Sequence, residues 1–191
     1  MRFDPQKTTV CVVGLGYVGL PLAEAFSKHL RVIGYDVNVD KIKKLSQNNE
    51  CNIEFTSDPV MIREADFVII CVPTPVTKSK EPDLSYVKSA AELVGKNLKK
   101  GAVVVLESTV YPGVMEEIVK PILEEKSGTK CGADFKIGYS PERINPGDKE
   151  HTIDKLTKIV AGMDEETTEI LAELYGLITN VYKAKDIKTA E

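Results

Sequence analysis

A glycine-rich stretch near the N-terminus, Gly14-Leu15-Gly16-Tyr17-Val18-Gly19, separates two segments of different character. The preceding residues 8–13 (TTVCVV) are β-branched and apolar, which is typical of a buried strand. The following residues 17–29 carry apolar side chains at helical spacing, and Pro21 falls in the first turn, where its missing N–H costs little. The stretch therefore predicts a strand, a tight turn and a helix in direct succession.

The spacing of the three glycines and a later acid indicates what this turn binds. Gly14 permits the tight turn, Gly16 lets the backbone approach a pyrophosphate, and Gly19 lets the helix pack closely on the strand. The free N–H groups at the helix start favour phosphates. Asp36 ends the next predicted strand, residues 31–36, where its carboxylate can accept hydrogen bonds from a ribose. The pattern predicts a nicotinamide dinucleotide; the alternative is a turn that merely packs tightly beside a solvated acid.

The acid also bears on the choice of cofactor. A carboxylate at Asp36 repels a ribose 2′-phosphate, which favours NAD over NADP. Three nearby lysines, Lys41, Lys43 and Lys44, weaken this argument because a lysine can screen the repulsion. We expect NAD.

Short apolar runs alternate with segments of helical period along the whole chain. We expect strands at residues 8–13, 31–36, 67–72, 102–106, 135–139, 158–160 and 180–182, and helices at 17–29, 39–45, 58–64, 84–98, 114–126 and 164–177. This alternation predicts an α/β fold with a doubly wound, mostly parallel sheet, a Rossmann-like dinucleotide-binding domain. We place that domain at residues 1–185 and read 186–191 as the start of a further helix.

Composition restricts the remaining possibilities. The 191 residues are 42% apolar with a net charge of −4, which supports a real core and argues against a nucleic-acid-binding surface. No segment reaches the roughly 18 apolar residues of a membrane span, so we expect no membrane partner and a cytoplasmic location. The four cysteines form no CxxC pair and the two histidines lie far apart, so we expect no metal site.

Three further motifs follow predicted strands, at the carboxyl ends where open α/β sheets bind ligands. They are Cys71-Val72-Pro73-Thr74-Pro75, Glu107-Ser108-Thr109-Val110-Tyr111-Pro112-Gly113, and Tyr139-Ser140-Pro141-Glu142-Arg143-Ile144-Asn145-Pro146-Gly147. Together with the glycine turn they resemble the N-terminal NAD-binding domain of the UDP-glucose/GDP-mannose dehydrogenase family. The SPERINPG form looks like the branch that oxidises UDP-N-acetyl-D-mannosamine or UDP-N-acetylgalactosamine, whereas the glucose branch typically reads PEFLREG.

The resemblance implies a reaction and a set of roles. Family members oxidise the C6 alcohol of a nucleotide sugar twice, to the uronic acid, with two NAD and a cysteine thioester, for polysaccharide biosynthesis. By motif position, Glu142 would assist water attack on the thioester, Thr109 could hydrogen-bond a water, and Glu142, Arg143 and Asn145 would face the substrate. The cofactor would be held by Gly14, Gly16, Tyr17, Val18, Gly19, Asp36, Lys41, Val72, Pro73, Thr74, Ser108 and Thr109.

For most of these residues a purely structural role is the competing interpretation. Glu142 could be solvated at a strand-end turn, Thr109 could be an ordinary β-branched residue, and Lys41 could be a surface lysine. The family's catalytic lysine, asparagine and cysteine find no match in this chain, so we expect it to bind NAD without completing the reaction. Family members dimerise through a central helix, so we expect a homodimer of the full-length enzyme.

Two other hypotheses stay open. The chain could be a non-catalytic NAD-binding or sensing module, although a sensor needs no residues around the nicotinamide. It could also belong to a short-substrate β-hydroxyacid dehydrogenase, which shares the glycine turn; the SPERINPG motif disfavours that.

Overall fold

The computed structural model describes residues 3–49, 51–76, 82–142 and 156–191. Within these ranges the strands are β1 (Thr9–Val13), β2 (Arg31–Tyr35), β3 (Ile53–Thr56), β4 (Phe67–Ile70), β5 (Val103–Leu106), β6 (Lys136–Tyr139), β7 (Lys158–Gly162) and β8 (Val181–Lys183). The α-helices are α1 (Gly19–Ser27), α2 (Val39–Gln47), α3 (Ser85–Lys96), α4 (Lys120–Ser127), α5 (Glu165–Gly176) and α6 (Ile187–Ala190). A 3₁₀ helix spans Pro59–Glu64 and a π-helical turn spans Met115–Val119.

The strands form one sheet in the order β3-β2-β1-β4-β5-β6-β7-β8. All neighbours pair in parallel except β6 and β7, which are antiparallel. Chain order reverses between β1 and β4, so the crevice at their carboxyl ends is the expected ligand position for such a sheet. The predicted doubly wound, mostly parallel sheet is confirmed.

Alternate residues of β1 point into two separate cores. Cys11 and Val13 pack with residues of α3 and α4 on one face, and Val10 and Val12 pack with residues of α1 and α5 on the other. All four side chains are at most 3% exposed. A strand covered on both faces must be apolar at every position, which is why β1 reads as a continuous apolar run.

The structure differs from the sequence prediction in three elements, one of which is the helix predicted at 58–64, where a 3₁₀ helix spans Pro59–Glu64. Strand β3 was missed because only its first residue, Ile53, is buried and the charged Glu54 interrupts the apolar pattern. The predicted helix at 114–126 begins instead as the π-helical turn before α4. Pro121 explains the change, because it has no N–H to donate to the preceding turn.

Helix α6 is anchored at both ends. Asp186 accepts a hydrogen bond from the Thr189 N–H at 2.7 Å, as a helix cap. The Glu191 carboxylate accepts from the backbone N–H groups of Gly113 and Met115, at 2.5 and 2.8 Å. The helical start predicted at 186–191 is therefore present; a domain boundary at 185 stays a prediction. No helix in the described ranges combines the length and apolarity needed to cross a bilayer.

Candidate cofactor and active site

A cleft of about 470 Å³ opens at the carboxyl edge of the sheet, over β1, β4 and β5. Its walls come from the ends of β1, β2, β4, β5 and β6 and the segments that follow them, from Lys41 of α2 and from one side of α3. The residues are Val13, Gly14, Gly16, Tyr17, Val18, Tyr35, Asp36, Val37, Lys41, Cys71, Val72, Pro73, Thr74, Tyr86, Ser89, Ala90, Leu93, Glu107, Ser108, Thr109 and Glu142.

The glycine turn forms one end of the cleft, and its three glycines face different surroundings. Gly14 has a φ of +97° and its N–H donates to the Tyr35 carbonyl at 2.8 Å. A Cβ at Gly19 would stand 1.9 Å from the Gly14 carbonyl oxygen, whereas a Cβ at Gly16 would meet nothing within 4 Å. Gly16 therefore leaves open space beside the N-terminus of α1, and that helix end has no side-chain cap. A bound pyrophosphate requires both the space and the free N–H groups.

Asp36 sits beside that turn, almost fully buried, with both carboxylate oxygens engaged. Oδ2 accepts from the Leu15 N–H at 3.0 Å and the Lys41 ammonium at 2.7 Å, and Oδ1 accepts from the Asn38 N–H at 2.9 Å. Burial by itself raises the pKa of Asp36, but these contacts outweigh it and leave the pKa below its ordinary value. The carboxylate is thus ionised at neutral pH, and its pairing with Lys41 screens part of the charge that would repel a 2′-phosphate. Lys41 is no isolated surface lysine, because it pairs with this acid.

The segments after β4 and β5 are braced to each other and to the end of β6 at the other end of the cleft. The Ser108 hydroxyl donates to the Val72 carbonyl at 2.6 Å, and the Thr74 hydroxyl donates to the Thr109 carbonyl at 2.8 Å. Tyr139 Oη donates to the Ser108 carbonyl at 3.1 Å. These bonds fix the shape of this end of the cleft, and they occupy the donor hydrogens of Ser108 and Thr74.

A buried charged cluster closes that end. Glu107 follows β5, Glu142 follows β6, and Lys158 begins β7; the Lys158 ammonium lies 2.6 Å from Glu107 Oε2 and 3.9 Å from Glu142 Oε2. Burial raises the pKa of Glu107 and the nearby ammonium opposes this rise. The Cys71 thiol, also in the cleft wall, has a raised pKa because it is buried, so it is no nucleophile at neutral pH.

The cleft brings together nearly all of the sequence-predicted residues. Gly19 lines no part of it, because it packs against Gly14 instead. Arg143 and Asn145 lie outside the described residues, so their predicted substrate contacts stay predictions. Among the residues that are described, no group of three His, Cys, Asp or Glu side chains could hold a metal ion.

Two charged residues of the site were not assigned from the sequence. Glu107 stands inside a quoted motif, but a strand-end glutamate carries no signal of burial. Lys158 opens a predicted strand, where a lysine is ordinarily a solvated end. Lys158 reaches the site only because β7 runs antiparallel to β6.

The chain is similar to known proteins. A family model described as "UDP-glucose/GDP-mannose dehydrogenase family, NAD binding domain" matches residues 8–54 and 45–179. The protein CapL of Staphylococcus aureus is 49% identical over 97% of this chain and 47% of its own length. The UDP-N-acetyl-D-glucosamine 6-dehydrogenase of Salmonella typhi is 44% identical over 99% of this chain and 48% of its own length.

A solved structure agrees with these sequence matches. The UDP-D-ManNAc dehydrogenase of Pyrococcus horikoshii superposes with a TM-score of 0.87 at 28% identity, covering 96% of this chain and 48% of that one. The chain spans about half the length of the curated relatives it matches.

Proposed function

We propose that this chain, which belongs to the UDP-glucose/GDP-mannose dehydrogenase family as its NAD-binding domain, serves an enzyme that oxidises a UDP-N-acetylhexosamine at C6 to the uronic acid. The balanced reaction converts one CH₂OH group, two NAD and one water into a carboxylate, two NADH and three protons. The observation that carries the proposal is the cleft itself. It joins a pyrophosphate turn and a ribose-binding acid at one end to the Thr109 and Glu142 motifs at the other.

The choice of sugar class rests on relatives. CapL and a UDP-N-acetyl-D-glucosamine 6-dehydrogenase share 49% and 44% of their aligned residues with this chain, and the SPERINPG motif points to N-acetylated sugars. The motif by itself suggested mannosamine or galactosamine. The relative that is 44% identical is named for UDP-N-acetyl-D-glucosamine, a third sugar. We therefore propose the N-acetylhexosamine class as substrate rather than one epimer.

Each end of the cleft has its own task in this proposal. The N–H groups around Gly16 hold the pyrophosphate, and Asp36 accepts hydrogen bonds from the adenosine ribose. NAD, when bound, would supply the hydride acceptor for the oxidation at C6. The braced segments at Ser108 and Thr109 would hold the nicotinamide. The Glu142 carboxylate takes a proton from the water that releases the acid product, with Thr109 orienting that water.

The first experiment measures cofactor binding to the chain by calorimetry. We expect NAD to bind and NADP to bind at least about tenfold more weakly, because Asp36 is ionised and faces the ribose position. Equal or tighter binding of NADP would overturn the cofactor assignment.

The second experiment tests the full-length protein with UDP-N-acetylglucosamine, UDP-N-acetylmannosamine, UDP-N-acetylgalactosamine and UDP-glucose, following NADH by absorbance. We expect two NADH per N-acetylated sugar. Glu142→Gln should lower the rate of acid release about 10²- to 10⁴-fold, whereas the exposed Glu165→Gln leaves it unchanged. NAD binding without oxidation of any of the four sugars would favour a sensing module instead.

The same family membership leads us to propose a cytoplasmic homodimer that supplies uronic acids for polysaccharide biosynthesis. Sedimentation analysis of the full-length protein tests the oligomeric state, and a monomer would contradict it.

A further inference from the structure

Three neighbouring strands bring charged side chains to the closed end of the cleft, and all three side chains are removed from water. Glu107 is 0% exposed, Lys158 4% and Glu142 8%. Burial of one ammonium between two carboxylates is costly and persists only where the geometry compensates for lost hydration. Such a cluster at the wall of a binding cleft suggests a role beyond packing.

The antiparallel pairing of β7 is what places Lys158 there. Strand β6 pairs with β7 so that Tyr139 faces Ala161. Continuing that register by three residues brings Lys158 opposite Glu142. In a parallel strand the first residue lies at the opposite edge of the sheet, so only the reversed strand can start at the carboxyl edge.

The ammonium of Lys158 is held from several sides. It donates to Glu107 Oε2 at 2.6 Å and lies 3.5 Å from the Pro141 carbonyl oxygen. The ring of Tyr175 stands 5.9 Å away, within the range of a cation–π contact. Glu142 Oε2 lies 3.9 Å from the same nitrogen, at ion-pair distance. Contacts other than the one with Glu142 therefore hold the cation in place.

The charge on this lysine is maintained by its neighbours. Burial lowers the pKa of Lys158, but the carboxylates of Glu107 and Glu142 raise it above its ordinary value. Without the ammonium, two carboxylates would face each other in a region of low dielectric, where repulsion is strong. One of the two carboxylates would then be pushed away from the other.

We propose that Lys158 is a positioning residue, which holds the Glu142 carboxylate against the wall of the cleft from a fixed anchor on Glu107. This inference deepens the proposed function, because it rests on Glu142 acting there as the base. A merely structural lysine would neutralise Glu107 and leave the position of Glu142 unchanged.

The first test asks where the Glu142 carboxylate is, and needs no catalysis. The chain is treated with a carbodiimide and glycine ethyl ester, and modification of Glu142 is followed by peptide mass spectrometry. We expect about tenfold faster modification in Lys158→Met, because the carboxylate loses its anchor, and a rate within about twofold of wild type in Lys158→Arg. Lys136→Met, which removes an ion pair with Asp164 at the other edge of the sheet, is the matched control.

Lys158→Met could fail to fold, because it leaves a buried carboxylate without its cation. The double variant Glu107→Gln/Lys158→Met removes both charges and takes its place in the same labelling measurement. Unchanged labelling of Glu142 in the variant that folds would overturn the proposal.

The second test measures catalysis in the full-length protein. We expect the double variant to lower kcat about 100-fold with KM for NAD within about twofold, and Lys158→Arg to recover kcat to within about tenfold of wild type. An unchanged kcat in the double variant would overturn the positioning role. If wild-type protein oxidises no UDP-sugar, the proposed function fails, and labelling alone then decides whether Lys158 holds Glu142.

Discussion

Gly16 and Gly19 stand three residues apart in one turn, yet an added methyl group meets opposite surroundings at the two positions. At Gly19 it would lie 1.9 Å from the Gly14 carbonyl oxygen and 3.0 Å from the Cys71 Cβ. At Gly16 nothing lies within 4 Å, and the space is that of the cleft. Replacing each by alanine therefore separates the turn's part in folding from its part in binding NAD.

The sizes of the two effects follow from these distances. Gly19→Ala adds a methyl group against backbone that cannot yield, so the free energy of unfolding should fall by about 3 kcal/mol, the upper end of the usual range for overpacking. For a chain of this size that loss lowers Tm by roughly 6–12 °C. Gly16→Ala should change the free energy of unfolding by no more than about 0.5 kcal/mol. Its methyl group displaces the pyrophosphate from a backbone N–H, a loss of about 1.5–3 kcal/mol, or roughly 10- to 150-fold in Kd for NAD.

Both quantities are measured on the same purified chain, by urea denaturation followed by circular dichroism and by calorimetric titration with NAD. Gly176→Ala is the matched control, since it also adds a methyl group in open space but lies at the end of α5, away from the cleft. It should bind NAD normally and be slightly more stable. Wild-type NAD affinity in Gly16→Ala would refute the placement of the pyrophosphate, and wild-type stability in Gly19→Ala would refute the packing argument.

Three further predictions concern charged side chains. Asp36→Asn should weaken NAD binding about tenfold and narrow the preference for NAD over NADP, because the negative charge that repels the 2′-phosphate is lost. Calorimetric titration with both cofactors measures the two dissociation constants. An unchanged ratio of these constants would contradict the role of the acid. The pKa of Asp164 is lowered to about 2 although burial opposes it, because Lys136 and Thr167 donate to it. The ionised carboxylate therefore contributes its full stabilisation above the pKa of about 4 that it has in the unfolded chain, and this contribution is lost as the pH falls toward 2. The difference in free energy of unfolding between wild type and Asp164→Asn should shrink between pH 6 and pH 2.5. A constant difference would show that the pKa shift is absent. Glu191→Ala should lower the free energy of unfolding by about 1–2 kcal/mol, since two backbone N–H groups lose their acceptor, and urea denaturation that matches wild type would show that the contact is not formed in solution.

The parallel core of the fold could be predicted from sequence because it depends on local patterns. Strands covered on both faces must be apolar throughout, so β1, β4 and β5 were all visible as apolar runs. The exposed edge strand β3 has no such requirement, and it was missed. The π-helical turn before α4 was missed for a different reason, since the apolar spacing of that segment fits an unbroken helix.

The sequence by itself determined the fold class and the residues that we propose for the cofactor end of the cleft. Gly14, Gly16 and Asp36 act through backbone geometry and a single charge, and both are consequences of residue type at fixed spacing. Only the tertiary structure decided the other end. Lys158 and Glu107 are 51 residues apart in the chain, and their contact depends on the reversed direction of β7. Strand direction depends on connections and packing across the whole sheet, so no local pattern predicts the pairing of these two charges.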